Sequence, residues 1–569
     1  MKRSTSKIAV LSLIASIVAT TLPLVSSAKT RRLTEDQRIV HVLNRLGFGA
    51  RPGDVERVKA IGLENYINQQ LNPEKIADTV AENKIKDLTV LNMSVAELYE
   101  KYPQPGQLLR QLQTRGLLPK DLAEARDNSK NPRENAEYRQ LIQQYYKDNG
   151  LEQPQRIIAQ LHASRILRAV YSERQLQEVM VDFWTNHFNV FAGKGADRWL
   201  LPAYDRDTIR PHAMGKFSAL LQATAQSPAM LFYLDNFQSV SPQSAVANRG
   251  RAQAMPNQPV QQPRRGINEN YARELMELHT LGVDGGYTQK DVQEVARCFT
   301  GWTIFQPRGG VAAINALRGE ETRARRPAGT FFFNARAHDD GEKIVLGRKI
   351  PAGGGFNDGL MVLEMLAHHP STAKFIATKL VRHFVSDNPP PALVNRVAAA
   401  FTKSDGDIRE TLKAIFFSPE FSSPESYRAK VKRPFELAIS AIRVVGADTN
   451  GGPGTHQWIA RMGEPLYGHQ SPNGYSDTAE SWVNTGGLLE RMNFGVALAA
   501  NRIPGTRVDL PLVVKQTDKN RMVDESLRMI LAGEVSAATK ETLLKQVDQA
   551  DSVAKVVGLI LGTPEFQRQ

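Results

Sequence analysis

The chain has 569 residues, 41% hydrophobic and 23% charged, a globular balance that excludes a disordered, fibrous or polytopic membrane protein over most of its length. With 72 Lys and Arg against 59 Asp and Glu, the formal charge is +13, which favours anionic surfaces. The excess is spread along the chain and aromatics are only 7%, so no basic stripe with stacking aromatics points to nucleic acid.

Lys2, Arg3 and Lys7 precede a largely apolar run, Ile8–Val25, and Ser26-Ser27-Ala28 closes it. This is the pattern of a secretory signal peptide over residues 1–28, and it predicts an exported protein, periplasmic or extracellular. Without the three leader cations the charge is +10. No later stretch reaches the ~18 apolar residues of a membrane helix, which predicts a soluble mature chain. Cys298 is the single cysteine, so no internal disulfide can staple the exported chain and its core must hold it. Within the helical run Val292–Phe299, it reads as a small buried apolar residue.

The periodicity predicts a mainly α protein: a large multi-helical domain over 29–505 with one short β-hairpin, and a helical C-terminal segment, 506–569, packed on it. Thr34-Glu35-Asp36-Gln37 is a capping box ahead of the first helix. Short helices with Pro- and Gly-marked joints follow to about Gly150, and the polar stretch 104–139 reads as helices with solvated faces. Leu176, Val179, Met180, Phe183 and Trp184 recur at helical spacing. Residues 239–266 hold four prolines, four arginines and no acid; so little apolar surface predicts a mobile insertion. Residues 307–329 look like a second. Thr330–Phe333 and Lys343–Leu346 are β-like runs around His338-Asp339-Asp340-Gly341, read as a hairpin with an Asp-Gly turn. Helices resume from Asp358. Ser418-Pro419-Glu420-Phe421 and Thr563-Pro564-Glu565-Phe566 repeat one junction, a Ser/Thr cap followed by Pro.

Three segments carry possible chemistry. His187 continues the apolar stripe of Phe183 and Trp184, so it should point inward among aromatics. A desolvated imidazole stays neutral, which suits a base or a ligand. Asn186 and Asn189 flank it, able to orient the ring or a substrate. On the helix 268–281, Asn270, Glu274 and Glu277 share a stripe, presenting two carboxylates as acid–base work or a hard cation needs. Glu277 and His279 are two apart and cannot share one ligand position. His338 precedes Asp339 in the predicted hairpin, where His338 can reach a cleft and an Asp holds the turn. The catalytic candidates are thus His187, Glu274, Glu277 and His338, and the metal candidates are His187 and His279. The loop 463–475, rich in aromatic and amide groups, reads equally as a pocket lining or a packed cover. Gly-x-Ser-x-Gly, Gly-x-x-x-x-Gly-Lys, His-Glu-x-x-His and Cys-x-x-Cys are all missing.

His41–Gly49, Phe183–Asn189, Asn268–Thr303, His338-Asp339 with Gly341 and Lys343, the stretch from His369-Pro370 to Pro390, Ser418–Phe421 and Pro465–Tyr475 together resemble the bacterial family catalogued as domain of unknown function 1800. The resemblance implies an exported, largely helical protein without a settled activity. It also implies a partner, a co-exported protein similar to alkaline-phosphatase-like hydrolases, and it carries no catalytic residues across. Three functions follow as expectations: an envelope factor acting with that secreted hydrolase, docking through 239–266; an extracytoplasmic enzyme, a metal-assisted hydrolase being one form of it, with a cleft around His187 and Glu274; or a metal or haem carrier.

Overall fold

The computed structural model describes residues 32–114, 116, 118–127, 136–244, 247, 266–305, 327–514, 518–547 and 553–569. The expected leader at 1–28 lies outside them, as does most of 239–266 and 307–329.

The mainly α expectation holds. Where the sequence places caps, helices begin: Thr34 accepts from the Gln37 N–H ahead of Glu35–Arg45, and Thr288 accepts from Asp291 ahead of Gln289–Cys298. One large core runs from Ile39 to Phe566. At its centre lies Pro434–Val444, buried at every residue. Packed around it are Gln155–Tyr171, Pro453–Arg461 and Thr485–Ala499. The polar stretch folds as Pro105–Thr114, Lys120–Asp127 and Ala136–Asp148, whose Leu109, Leu122, Ile142 and Tyr146 form a small cluster of their own. The C-terminal helix Val553–Leu561 packs on Thr485–Ala499 and Lys519–Leu531, and residues 567–569 pair with 430–432. Among the described residues, no helix is long and apolar enough to cross a membrane.

The strand pairing differs from the sequence reading. Thr330–Phe333 pairs antiparallel with Trp302–Phe305, and Lys343–Val345 pairs with Arg348–Ile350. The tight turn is Leu346-Gly347, both at positive φ, as a two-residue type I′ turn requires. Asp340-Gly341 is no hairpin turn: Asp339 accepts the Gly341 N–H and is held by Arg297. Phe331 packs edge-on against Trp302 and Phe332 against Phe305, while Phe333 meets His338 and Phe356. Asp448–Thr449 and Thr506–Arg507 make a third short ladder.

Two stretches are wound as π-helix, Tyr204–Ile209 and Leu275–Thr280. Such turns are rare and recur at functional sites. The second ends beside His187.

Candidate functional site

His187 is the last residue of Gln175–His187 and is buried. As its place on the stripe predicts, its ring packs among Phe183, Trp184, Phe188 and Phe375. Both ring nitrogens are engaged. Nε2 lies 3.1 Å from the His279 carbonyl oxygen, which accepts and so sets the Nε2–H tautomer. Nδ1, left as an acceptor, lies 2.9 Å from Lys379 Nζ. Burial first, then the Lys379 charge, holds the imidazole well below its ordinary pKa. It is a neutral acceptor at any physiological pH.

Lys379 belongs to Pro370–Phe384, which starts with Pro at its first turn and turns Ile376, Leu380 and Phe384 to the core. Burial, helped by the neighbouring Arg382 charge and opposed by the more distant Asp477 carboxylate, pushes the Lys379 amine down to about 8. Among the described residues, no carboxylate comes within 4.0 Å of Lys379 or Arg382. The polar contact of Arg382 is a 3.4 Å bond from Nε to the Asp387 carbonyl.

These groups line a cavity of about 200 Å³. Its walls are His187 and Asn186 from one helix, Lys379, Arg382 and His383 from another, and Asn473, Tyr475, Ser476, Asp477 and Thr478 from a loop. Asn473 is exposed. The loop is therefore a pocket lining. It is also clasped to the helix: the Asn186 side chain donates to the Tyr475 carbonyl at 2.8 Å and accepts its N–H at 2.7 Å. Asn189 donates to the His469 and Ser471 carbonyls. The two asparagines thus hold protein backbone, not the imidazole. At Gly474, φ is +71° and an added Cβ would stand 2.2 Å from the Asn186 carbonyl oxygen, so only glycine allows this approach.

Beneath the cavity lies a buried ionic network. Arg433 reaches Glu464 at 2.7 Å and also Asp182. Asp182 takes a second cation, Arg165, at 2.7 Å. Burial works against the Asp182 charge, but Arg433 and Arg165 outweigh it and hold its carboxyl below the usual range. At the rim His383 Nδ1 lies 3.2 Å from the Asp477 carboxylate. Burial again opposes the charge, and His383 with Lys430 holds Asp477 well below its ordinary value. The network satisfies its own charges. Lys379 and Arg382 are left over.

The other sequence candidates fall elsewhere. Glu274 and Glu277 are half-buried and near each other: burial, then the Glu277 charge, raises Glu274. The Tyr287 hydroxyl donates to Glu277 at 3.3 Å. Neither carboxylate lines the His187 cavity. The helix widens into the π-turn after Glu274, and it is the backbone of His279 that reaches His187. The His279 ring is buried and its Nε2 has no hydrogen-bond partner. Burial and Lys379 push it down to about 3.

His338 does not open to a cleft. It sits between the Thr300 carbonyl, 2.8 Å from Nδ1, and Asp358, 3.1 Å from Nε2, and Asp358 also takes Lys343 at 2.5 Å. All three side chains are buried. Among the described residues, no group of three or more His, Cys, Asp or Glu could hold a metal ion. The expectation of a metal or haem at His187 and His279 therefore meets no ligand set there, since both His187 nitrogens are already bound. Cys298 is buried, as its helical run predicts, and burial pushes its thiol up to about 12.

Sequence reasoning missed Lys379, Arg382, His383, Arg433 and Asp477. A signal existed for the first three: basic residues at i, i+3 and i+4 on a helix that turns an apolar face to the core. Arg433 and Asp477 come from loop ends, and nothing local marks them.

No curated protein and no solved structure matches the chain. The family model described as "Protein of unknown function (DUF1800)" matches residues 41–568, a span that takes in both helices and the loop of the cavity. The chain belongs to that family.

Proposed function

We propose that the chain is an exported enzyme that binds a small organic anion in the His187 cavity and performs acid–base chemistry on it. One observation carries the reading. A lysine ammonium and a neutral imidazole share a hydrogen bond at a cavity wall that holds a second cation, and among the described residues no carboxylate lies within 4.0 Å of either cation, the Asp477 carboxylate of the same cavity being engaged by His383 and Lys430. Uncompensated positive charge in a partly desolvated site attracts an anion strongly. A guanidinium suits a carboxylate, because its planar fork matches the two oxygens. Asn473, Ser476 and Thr478 add neutral hydrogen-bonding groups on the facing wall. A proton shared between Lys379 and His187 can then serve the bound ligand. Export is supported by the leader pattern of residues 1–28. The envelope-factor reading with an alkaline-phosphatase-like partner rests on the family resemblance, and most of its expected docking segment, 239–266, lies outside the described residues.

The test is calorimetric titration of the mature protein with acetate, pyruvate, phosphate and sulfate near pH 7, followed by proton NMR of each mixture to detect conversion. Binding that weakens about tenfold or more in Arg382→Met supports the pocket, a charge-assisted contact being worth that much. Conversion lost in His187→Gln supports the chemistry. No binding by any of the four anions overturns the reading.

A further inference from the structure

We infer that Lys379 is a covalent site, whose amine condenses with the carbonyl carbon of a small oxo acid while Arg382 holds that acid's carboxylate. The inference rests on the anion-pocket reading and names its substrate class.

The first argument is a comparison of Lys379 with four other buried or half-buried lysines of the described residues. Lys343 is locked as a cation by Asp358 at 2.5 Å, and Lys430 by Asp387 at 2.5 Å. Lys194 is paired with Asp235 at 2.7 Å. Lys432 has no carboxylate within 4.0 Å, but it is buried between Ser440 and the Phe566 ring, and it does not line the cavity. Lys379 alone of these five combines two properties: it is free of a carboxylate and it faces a cavity. An amine must shed its proton before it can attack. A carboxylate partner prevents that; a neutral imidazole and a neighbouring guanidinium favour it.

The second argument is proton traffic. His187 Nδ1 stands 2.9 Å from Nζ with its lone pair toward the amine, because Nε2–H is committed to the His279 carbonyl. The neutral amine attacks the carbonyl carbon, a C–N bond forms, and His187 carries one proton from the nitrogen to the carbonyl oxygen, which becomes a hydroxyl. His187 then accepts the second proton that leaves the nitrogen and gives it to that hydroxyl. The C–O bond breaks, water leaves, and an imine remains. No atom is oxidised or reduced, and no further reactant is needed. The third argument is the anchor. Arg382 lies three residues beyond Lys379 on one helix and lines the same cavity, so one ligand can meet both groups.

The experiment is borohydride trapping. The mature protein is incubated with pyruvate, reduced with sodium borohydride and digested for peptide mass spectrometry. The expected result is a reduced adduct on Lys379, absent in Lys379→Arg, diminished about tenfold in Arg382→Met, and competed away by acetate, which offers the carboxylate without the carbonyl. Circular dichroism establishes that each variant is folded. An adduct spread over exposed lysines, or none at Lys379 with either pyruvate or glyoxylate, overturns the inference. If in that case the same anions still bind in an Arg382-dependent way, the pocket stands and only the covalent step falls. If no anion binds, both fall.

Discussion

Lys379 carries a charge without a carboxylate in ion-pair contact among the described residues, and its burial has a cost that can be measured. Its amine is pushed down to about 8 in the folded chain, against about 10.4 for an unperturbed lysine. Between those values the unfolded state holds more protons, so stability rises with pH through that window, and the cost is fully present below 8. Lys379→Met should therefore stabilise the protein at pH 7 by about 1–2 kcal/mol, a value discounted for the half-buried position. The gain should fade toward pH 10, as denaturant midpoints at several pH values would show; a loss of stability at pH 7 would contradict the account. Anion affinity should follow the opposite course. It should be flat from about pH 6 to 7.5, because His187 stays neutral, and fall as Lys379 deprotonates above about 8. An inflection near 6.5 would mean that His187 titrates. The sequence foretold the inward, aromatic setting of His187. It did not foretell its partner, because Lys379 is 192 residues away and contact between two helices has no local signature.

At the scale of elements, the cavity exists because a loop is sewn to a helix. Asn186 pairs with Tyr475 as one strand pairs with another, and Gly474 permits the approach. Gly474→Ala places a side chain in the left-handed region and against a carbonyl oxygen. The expected cost is about 1–3 kcal/mol of loop stability, read as faster hydrogen exchange over 470–478 and as lost anion binding, while global unfolding shifts less. Unchanged exchange there would show the clasp to be dispensable. Caps and amphipathic stripes were legible, since a cap is written in four consecutive residues. The strand pairs were not: β-like runs at 330–333 and 343–346 were found, but Asp340-Gly341 imitates a turn, while the true turn begins with Leu346, a residue that carries no turn signal. The π-turn at Leu275–Thr280 was likewise invisible, and it moves His279 off the spacing that an ideal helix assigns.

At the scale of the molecule, the site is built on buried ion pairs. Arg433 stands at the N-terminus of the fully buried Pro434–Val444 helix and joins Asp182, from the His187 helix, to Glu464, from the start of the pocket loop. Arg433→Met would leave Glu464 buried without its cation and Asp182 with Arg165 alone. Breaking such a pair costs about 3–5 kcal/mol, so this variant should unfold at markedly lower denaturant and lose the cavity with the fold. An Arg433→Met chain as stable as the parent would mean that the network does not hold the three elements together.

The sequence by itself determined the helical class, the caps, the burial of Cys298, the inward face of His187 and the family to which the chain belongs. All of these are written in neighbouring residues, in periodicity, or in motifs that keep their order along the chain. The tertiary structure decided which charged groups meet. It separated Glu274, Glu277 and His338 from His187, gave His187 to Lys379, and satisfied every carboxylate near the cavity while leaving two cations over. Charge balance at a site is a sum over groups from distant parts of the chain, and packing alone brings them within the few ångströms at which they act on one another.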